Sequence, residues 1–188
     1  FGYYIYQDGR WVNRDESNPI VGSMIDFTNI CIADNEVWLG SFGAGLAVIR
    51  DGTPAEYFNK ENSTIKESVP GREIVFGMAK DTDGNLWAAN FATDKPLILR
   101  RPGGSWIDFN VGIQNLGEMV VDDQNQVWIL VPRNSSTGLL VVKELDNGQL
   151  EKRFLNTTSN QGGLPSNNVK AIVKDKDGQI WIGTETGI

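Results

Sequence analysis

Two segments of the chain carry the residues that most resemble a metal site. Asp81-Thr-Asp-Gly84 and Asp175-Lys-Asp-Gly178 begin like calcium-binding loops, in which carboxylate oxygens bind the ion. A calcium loop places glycine at its sixth position and a bidentate glutamate at its twelfth, where this sequence has Ala92 or Thr186. Asp and Gly also close tight turns, because Asp accepts hydrogen bonds from nearby backbone N–H groups and Gly tolerates positive φ. The spacing therefore predicts hairpin turns without a bound metal.

Residues for acid–base or nucleophilic catalysis are scarce. The chain has no histidine, which removes the commonest general base and the commonest neutral metal ligand. The glycine-rich run 40–45 lacks the Lys-Ser/Thr ending and the following helix of a phosphate loop, so it is interpreted as a connection between strands. A carboxylate pair for glycoside hydrolysis stays an open alternative, because the sequence does not give its separation. We predict no catalytic residue, no metal and no cofactor in this segment.

The chain of 188 residues is acidic, with a formal charge of −7 and an isoelectric point near 4.6. A nucleic-acid partner would need a basic surface, so this class of partner is excluded. No apolar run approaches the roughly 20 residues of a transmembrane helix, which predicts no membrane span in this segment.

A β-hairpin pattern near the end of the chain recurs, in degraded form, three times upstream. In the last copy, Val169, Ala171 and Val173 alternate with Lys170, Ile172 and Lys174 before the Asp-Gly turn, and Gln179-Ile-Trp-Ile182 starts a second strand. The tryptophans of the four copies are 49, 41 and 53 residues apart, close to the roughly 40–50 residues of a propeller blade with four antiparallel strands. The sequence predicts an all-β fold: a β-propeller with about four blade equivalents here, as part of a seven- or eight-bladed whole. The tryptophans in question are Trp38, Trp87, Trp128 and Trp181.

Aligning the copies defines columns of equivalent residues. One tryptophan per repeat at one register is typical of a packing layer, although a cage for sugars or cationic ligands is the alternative. In the first copy the turn at Asp34-Asn35 is counted as two residues shorter, which keeps both strands in phase. That count places Cys31 in the column of Met78, Met119 and Ile172, so we predict that this cysteine is a small core side chain rather than a nucleophile.

The repeats divide the chain into blades, two of which are incomplete. Residues 1–20 are predicted to form the outer strands of a split blade, and residues 161–188 the inner strands of a split blade. Complete blades are predicted at 21–66, 67–112 and 113–160. Because unpaired strand edges attract further strands, this division predicts either self-association through the split blades or incorporation into a larger propeller.

The last copy resembles the two-component-regulator propeller repeat, whose pattern is approximately L-P-S-N-x-V, I, D-x-x-G-x-h-W-h-G-T, G-h. Leu164-Pro-Ser-Asn-Asn-Val169 and Ile180-Trp-Ile-Gly-Thr184 carry the resemblance. Val37-Trp-Leu-Gly-Ser41 is similar, whereas Leu86-Trp-Ala-Ala-Asn90 and Val127-Trp-Ile-Leu-Val131 depart from the G-T ending. Within this family, the runs at 38–46 and 161–165 are most similar to PorZ-like accessory propellers of type IX secretion.

The resemblance implies a non-catalytic propeller in the periplasm or on the surface of a Gram-negative bacterium, which binds a ligand or protein as an accessory of type IX secretion. The alternative is the periplasmic sensor domain of a hybrid two-component histidine kinase, whose kinase would lie outside this segment. A propeller glycosidase or lyase is the third reading. The expected partner is a protein or a carbohydrate-like ligand.

Recognition residues are expected in the longer connections, because functional residues concentrate on loops held by a rigid scaffold. These connections are 12–25, 53–73, 90–95 and 131–137. Arg72, Phe91 and Arg133 are the candidates within them. Solvated loop residues or ordinary packing is the alternative interpretation of each.

Overall fold

The computed structural model describes residues 2–15, 24, 26–132 and 137–187. These residues form sixteen β-strands and one short 3-10 turn, Ser159–Gln161. The strands are arranged in three four-stranded sheets and two two-stranded hairpins, with antiparallel neighbours throughout. Among the described residues, no helix is long and apolar enough to cross a membrane. The all-β prediction is confirmed.

Each four-stranded sheet follows the chain in order, so successive strands are neighbours. The N-terminal hairpin consists of β1 (Gly2–Gln7) and β2 (Arg10–Asp15). The first sheet contains β3 (Phe27–Ala33), β4 (Glu36–Ser41), β5 (Leu46–Arg50) and β6 (Thr53–Phe58). The second sheet contains β7 (Val75–Lys80), β8 (Leu86–Asn90), β9 (Leu97–Arg100) and β10 (Trp106–Phe109). The third sheet contains β11 (Met119–Val121), β12 (Gln126–Leu130), β13 (Leu139–Glu144) and β14 (Leu150–Leu155), and the C-terminal hairpin consists of β15 (Val169–Lys174) and β16 (Ile180–Thr184).

The sheets stack face to face, and the stacking makes the core. We call the face that carries the second-strand tryptophan the front face, and the opposite one the back face. The front face of the first sheet, with Trp38 and Val48, packs on the back face of the second, with Leu86 and Ile98. The front face of the second sheet packs on the back face of the third, and the front face of the third packs on the back face of the C-terminal hairpin. We call each of these front-to-back contacts a seam. Neither face of such a sheet is stable in water alone, so each sheet depends on its neighbours.

First strands of successive sheets lie side by side, and the backbones approach closely there. A Cβ atom built on Gly77 in β7 would lie 2.1 Å from the carbonyl oxygen of Gly117, and one on Gly40 would lie 2.9 Å from that of Val75. The β7–β8 ladder also shifts register between Val75 and Gly77. Glycine at these positions therefore lets adjacent blades converge towards the axis.

Three of the four tryptophans are fixed by the turn before them. The indole N–H of Trp87 donates to Asp81 Oδ2 at 2.9 Å, while Asp81 Oδ1 accepts the backbone N–H of Asn85 at 2.8 Å. Asp122 with Trp128 and Asp175 with Trp181 repeat both bonds. In the first sheet the turn is too short to carry this aspartate, and Trp38 donates to Glu36 at 3.1 Å instead. We use the name aspartate clamp for a turn aspartate that accepts both the indole N–H and a backbone N–H group, as at Asp81, Asp122 and Asp175.

The register of the first sheet differs from the predicted column for Cys31. Cys31 lies opposite Trp38, whereas Met78, Met119 and Ile172 pair one residue away from the tryptophan column. The reason is the turn: Asp81 still hydrogen-bonds to Asn85, so three residues separate these strands, against two at Asp34-Asn35. The turn of the first sheet is therefore one residue shorter, not two as predicted. A shift of one residue places a side chain on the opposite face of the sheet, so the predicted alignment of Cys31 with Met78, Met119 and Ile172 was wrong. Cys31 is nevertheless buried, and burial raises the pKa of its thiol, as expected for a core side chain.

Two predicted connections are partly strands. Residues 12–15 belong to β2, and residues 53–58 form β6, the outer strand of the first sheet. Pro54 obscured β6, because proline cannot donate a ladder hydrogen bond. The strand tolerates it beside a register shift between Val48 and Ile49, on the outer edge of its sheet. The connections that remain in this part of the chain are therefore shorter than predicted.

Candidate functional site

Three phenylalanines lie together where the second strands of the first two sheets end. Phe42 follows β4, Phe76 lies at the register shift of β7, and Phe91 follows β8. The rings of Phe42 and Phe76 have centroids 5.9 Å apart, and those of Phe76 and Phe91 are 4.8 Å apart in an edge-to-face contact. The guanidinium carbon of Arg72 lies 5.6 Å from the centre of the Phe42 ring. We call Arg72, Phe42, Phe76 and Phe91 the aromatic cluster.

A buried asparagine holds the segment that carries Arg72. Asn90 is fully buried at the end of β8. Its Oδ1 accepts the backbone N–H of Lys66 at 2.7 Å, and its Nδ2 donates to the carbonyl oxygens of Lys66 and Ile74 at 3.0 and 3.2 Å. Both ends of the segment 66–74 are thus fixed to the second sheet. Arg72 is presented from a scaffold rather than from a free loop.

The glycine-rich run supports the same segment from the other side. Gly45 donates its backbone N–H to the Glu73 carbonyl at 2.9 Å, and Glu73 donates to the Gly43 carbonyl at 3.1 Å. The Glu73 side chain is buried, and its carboxylate accepts the backbone N–H of Lys60 at 3.2 Å. Burial raises the pKa of this carboxyl above its usual range. The run connects β4 and β5, as predicted, and its backbone hydrogen bonds hold Glu73, the residue after Arg72.

The aromatic cluster places the Arg72 guanidinium cation beside partly exposed phenyl rings. All three phenylalanines are partly exposed and Arg72 is exposed. Among the residues that the structure describes, none forms a hydrogen bond or ion pair with the Arg72 guanidinium. A guanidinium keeps five N–H donors for a ligand, and phenyl rings supply area that is favourable to bury. The arrangement can therefore bind a group that presents an acceptor beside an apolar or planar surface.

Arg72 and Phe91, which come from different predicted connections, are thus brought together through Phe42 and Phe76. Arg133 lies outside the described residues. Sequence reasoning missed Phe42 and Phe76 because it looked for candidates only in long connections. A usable signal was present: the positions equivalent to Phe42 and Phe91 hold Pro132 and Glu185 in the other repeats, and those equivalent to Phe76 hold Thr28 and Lys170. These aromatic rings are departures from the repeat, which does not require them.

Apart from the aromatic cluster, a polar cavity of about 620 Å³ lies between the third sheet and the C-terminal hairpin. The Glu185 carboxylate in its wall accepts hydrogen bonds from Asn168 Nδ2 at 2.6 Å and from Ser166 Oγ at 3.2 Å. Asn167 Oδ1 accepts the backbone N–H of Thr157 at 3.0 Å. Its walls are therefore tied together largely by the Pro-Ser-Asn-Asn residues of the repeat motif.

The segments that begin at Asp81, Asp122 and Asp175 form tight turns between paired strands, and the hairpin turns predicted at the two Asp-Gly segments are confirmed. Asp81, Asp122 and Asp175 each use one carboxylate oxygen for the tryptophan and the other for backbone N–H groups. For Asp175, these hydrogen bonds, led by the one from Trp181, lower the pKa of the carboxyl. Within the described ranges, no group of three or more His, Cys, Asp or Glu side chains is arranged to hold a metal ion.

Residues 163–186 match the family model described as "Two component regulator propeller". This match covers the repeat on which the resemblance was based. A search of curated proteins finds no match to the chain.

Solved structures show the same fold. PorZ, an essential surface component of the type IX secretion system of Porphyromonas gingivalis, aligns with a TM-score of 0.80 at 20% identity over 98% of this chain and 28% of its own. The extracellular domain of BT3049 from B. thetaiotaomicron, described as a hybrid two component system, aligns with a TM-score of 0.58 at 20% identity over 82% of this chain and 20% of its own. The chain thus spans less than a third of either protein.

A third structure is a catalytically inactive histidine-to-alanine variant of virginiamycin B lyase from Staphylococcus aureus, with quinupristin. It aligns with a TM-score of 0.64 at 15% identity over 98% of this chain and 59% of its own. At such identities the likeness establishes the fold alone. The predicted β-propeller architecture and the family resemblance are confirmed.

Proposed function

We propose that this chain is a non-catalytic, extracytoplasmic propeller segment that binds a protein through the aromatic cluster, as a PorZ-like accessory of type IX secretion. The observation that carries the proposal is the Arg72 guanidinium, which has no hydrogen-bond or ion-pair partner among the described residues and lies 5.6 Å from the Phe42 ring, within a group of rings that the repeat does not require. Aromatic residues and arginine are the types that dominate the centres of protein interfaces. The blade boundaries at 20, 66, 112 and 160 belong to the same proposal.

The site of action that we propose is the periplasm or the cell surface of a Gram-negative bacterium. The support is the similarity to PorZ and to an extracellular sensor domain. The absence of histidine from the whole chain supports a non-catalytic role, because the similar lyase is described as inactive after loss of a histidine. Within the described part of the chain, the one carboxyl with a raised pKa, that of Glu73, is buried and accepts a hydrogen bond from a backbone N–H group.

The second candidate function is ligand sensing for a hybrid two-component system. The observation in its favour is the match of residues 163–186 to the two-component-regulator propeller model. In that case the same surface would take a carbohydrate-like ligand, because sugar rings also stack on aromatic side chains. The two functions differ in their readout, which is secretion for the first and transcription for the second.

The proposal is tested in the host bacterium with chromosomal Arg72→Ala and Phe76→Ala variants of the full-length protein. We expect both to reduce the amount of type IX cargo in the medium by about tenfold, as for a contact worth about 1.4 kcal/mol. Arg72→Ala removes only an exposed side chain, so it keeps the test valid if Phe76→Ala lowers the protein level.

Leu145→Ala is the control, because Leu145 is an exposed apolar residue on the distant turn between β13 and β14. Normal secretion in both cluster variants, with normal levels of the protein, would contradict the accessory role. Changed transcription without a change in secretion would transfer the assignment to the sensor function.

A further inference from the structure

We infer that the aromatic cluster receives a carboxylate of its protein partner, which Arg72 binds while an apolar side chain beside that carboxylate packs on the phenyl rings. The inference rests on the proposed function, because it specifies the chemistry of the segment that the same site would bind. Three observations carry it: the turn that presents Arg72 is rigid, Arg72 has no acidic partner among the described residues, and its neighbours in the cluster are apolar.

Arg72 lies at the end of a Pro-Gly turn, Val69-Pro-Gly-Arg72. The backbone N–H of Arg72 donates to the Val69 carbonyl oxygen at 2.9 Å, and the Ser68 N–H donates to the Arg72 carbonyl oxygen at 2.8 Å. Proline fixes φ at the second position, and Gly71 at the third has a φ of 75°, as in a type II turn. A turn of this kind has few alternative conformations, so little conformational entropy is lost when a ligand binds to it.

The base of this turn is fixed to the second sheet. Ser68 Oγ accepts the backbone N–H of Ile74 at 3.2 Å, which joins the two ends of the turn. The buried Asn90 side chain in turn donates to the Ile74 carbonyl oxygen at 3.2 Å and accepts the Lys66 N–H at 2.7 Å. The position of Arg72 beside the rings is therefore set before a partner binds.

Apolar side chains lie next to the Arg72 guanidinium. Val69 is paired directly with Arg72 across the turn, so the two side chains lie on the same face, and Val69 is 48% exposed. The guanidinium carbon is also 5.6 Å from the centre of the Phe42 ring, which contacts Phe76, and Phe76 contacts Phe91. A partner side chain that packs here buries apolar area on both molecules, which favours binding.

Residues 59–74 contain three cations, and two of them have acidic partners. Lys60 Nζ forms an ion pair with Glu67, and Lys66 Nζ forms one with Asp94 at 2.9 Å. Within the described part of the chain, the Arg72 side chain forms neither an ion pair nor a hydrogen bond. Its guanidinium therefore keeps its charge and five N–H donors available for a partner.

The acids nearest to Arg72 in the sequence are engaged elsewhere. The Glu67 carboxylate accepts hydrogen bonds from Lys60 Nζ and from the backbone N–H of Gly71, and these bonds, led by the one from Lys60, lower the pKa of the carboxyl. The Glu73 side chain is buried, and its carboxylate accepts the backbone N–H of Lys60 at 3.2 Å. An anion that binds Arg72 therefore comes from a partner.

A carboxylate fits this site better than other anions do. Carboxylate and guanidinium form two parallel N–H···O bonds, and one negative charge is matched by one cation. A phosphate group carries up to two charges and is usually held by several cations or backbone N–H groups together. The formal charge of −7 on the chain also disfavours a strongly acidic partner. The expected partner segment therefore has one acid among apolar residues.

The test combines photo-crosslinking with changes of charge at position 72. The full-length protein carries p-benzoylphenylalanine at Val69 in the host bacterium, and the yield of its adduct with a partner protein is measured. Arg72→Gln keeps N–H donors without the charge, so it should lower the adduct yield by about tenfold, because hydrogen bonds to charged groups contribute more than neutral ones. Arg72→Lys keeps the charge but not the paired N–H geometry, and it should retain a larger share of the adduct than Arg72→Gln.

Arg153→Gln is the matched control, because it removes the same charge from an exposed position on β14, outside the aromatic cluster. It should leave the adduct yield unchanged. An Arg72→Gln yield equal to that of the unmodified chain would overturn the carboxylate assignment. An Arg72→Lys yield no higher than that of Arg72→Gln would overturn it as well.

Reversing the charges on both molecules then tests the carboxylate itself. The cross-linked peptide of the partner is mapped by mass spectrometry, and the acid nearest to the cross-linked residue is changed to lysine. This change and Arg72→Glu should each lower the adduct yield by about tenfold, and the two together should restore it. If the mapped peptide ends the partner chain, extension by Gly-Gly distinguishes a terminal carboxylate from a side chain, because only the terminal charge is moved.

The outcomes separate this inference from the proposed function. An adduct that forms at Val69 but does not respond to the charge at position 72, or that reversed charges do not restore, would remove the carboxylate and leave the protein-binding function in place. Absence of any adduct from the protein with Arg72 intact would contradict both.

Discussion

Single carboxylates fix both a turn and a tryptophan in this molecule. Asp81, Asp122 and Asp175 accept backbone N–H groups with one oxygen and an indole N–H with the other. The sequence pattern predicted the turns and the tryptophan column separately. It could not show that one side chain joins them, because that bond depends on how the strand folds back. In the first sheet Glu36, which lies within the strand, accepts the indole N–H of Trp38 with one oxygen and the Arg50 guanidinium, rather than a turn N–H group, with the other.

The contribution of an aspartate clamp to the free energy of unfolding should increase with the burial of its tryptophan. Asp81→Ala leaves the indole of the buried Trp87 without its acceptor, so we expect it to lower the free energy of unfolding by about 1–3 kcal/mol. Asp175→Ala should cost less, because Trp181 is exposed and water replaces the bond. Denaturant unfolding measures both variants. Equal losses would show that the clamp does not act through the buried indole.

A pH-dependent effect is expected at Glu73. Burial raises the pKa of its carboxyl in the folded state, so ionisation at neutral pH costs the folded state free energy. Below the unfolded-state value of about 4.3, the carboxyl is protonated in both states and this cost is absent. Glu73→Gln should therefore raise the free energy of unfolding at pH 7, and the gain should disappear as the pH falls to 4 and below.

Glu67→Gln is the control for Glu73→Gln. A hydrogen bond from Lys60 lowers the pKa of the Glu67 carboxyl, so its ionised form favours the folded state. The substitution should give no gain in stability at pH 7. A Glu73→Gln variant that is less stable than the unmodified protein at neutral pH, in thermal unfolding at matched ionic strength, would contradict the burial argument.

At the level of strands and turns, hydrophobic alternation predicted an all-β fold of repeated antiparallel strands but misplaced details that depend on pairing. The phase of Cys31 followed from a turn length that only the backbone hydrogen bonds define. The strand β6 was missed because Pro54 weakens the strand pattern, although an outer edge tolerates it. The aromatic cluster was only half predicted, because Phe42 and Phe76 meet Phe91 through the stacking of sheets.

Close approach of first strands gives a prediction for Gly77. A methyl group there would lie 2.1 Å from the Gly117 carbonyl oxygen, so the second and third sheets would have to separate. Gly77→Ala should lower the free energy of unfolding by about 1–3 kcal/mol. Gly43→Ala is the control, since nothing lies within 4 Å of its Cβ position. If both variants unfold alike, the seam between these sheets is looser than described.

Across the whole molecule, equivalent residues differ in exposure because the faces of their sheets are covered to different extents. The tryptophan column was predicted as a packing layer, and Trp38 and Trp87 fit that interpretation, whereas the exposure of Trp181 depends on a neighbour that no repeat pattern specifies. Family resemblance identified the blade, whereas the cover of each sheet face comes from the neighbouring sheet.

Burial at the seams predicts unequal effects of removing the tryptophans. Trp87→Ala should lower the free energy of unfolding by about 3–5 kcal/mol, as for a fully buried aromatic residue. Trp181→Ala should cost well below that, because Trp181 is 48% exposed. Chemical unfolding measures both variants, and equal losses of unfolding free energy would contradict burial as the cause of the difference.

The central claim is that the aromatic cluster is a recognition surface, and photo-crosslinking in the host tests it most directly. A photoreactive p-benzoylphenylalanine placed at Val69, on the short bridge to Arg72, samples what lies over the cluster. Leu145 is the control position, with 41% exposure against 48% for Val69. We predict a discrete cross-linked protein from Val69 that is absent from Leu145 and is lost when Arg72→Ala is added. The same adducts from both positions, or none from Val69, would contradict the claim.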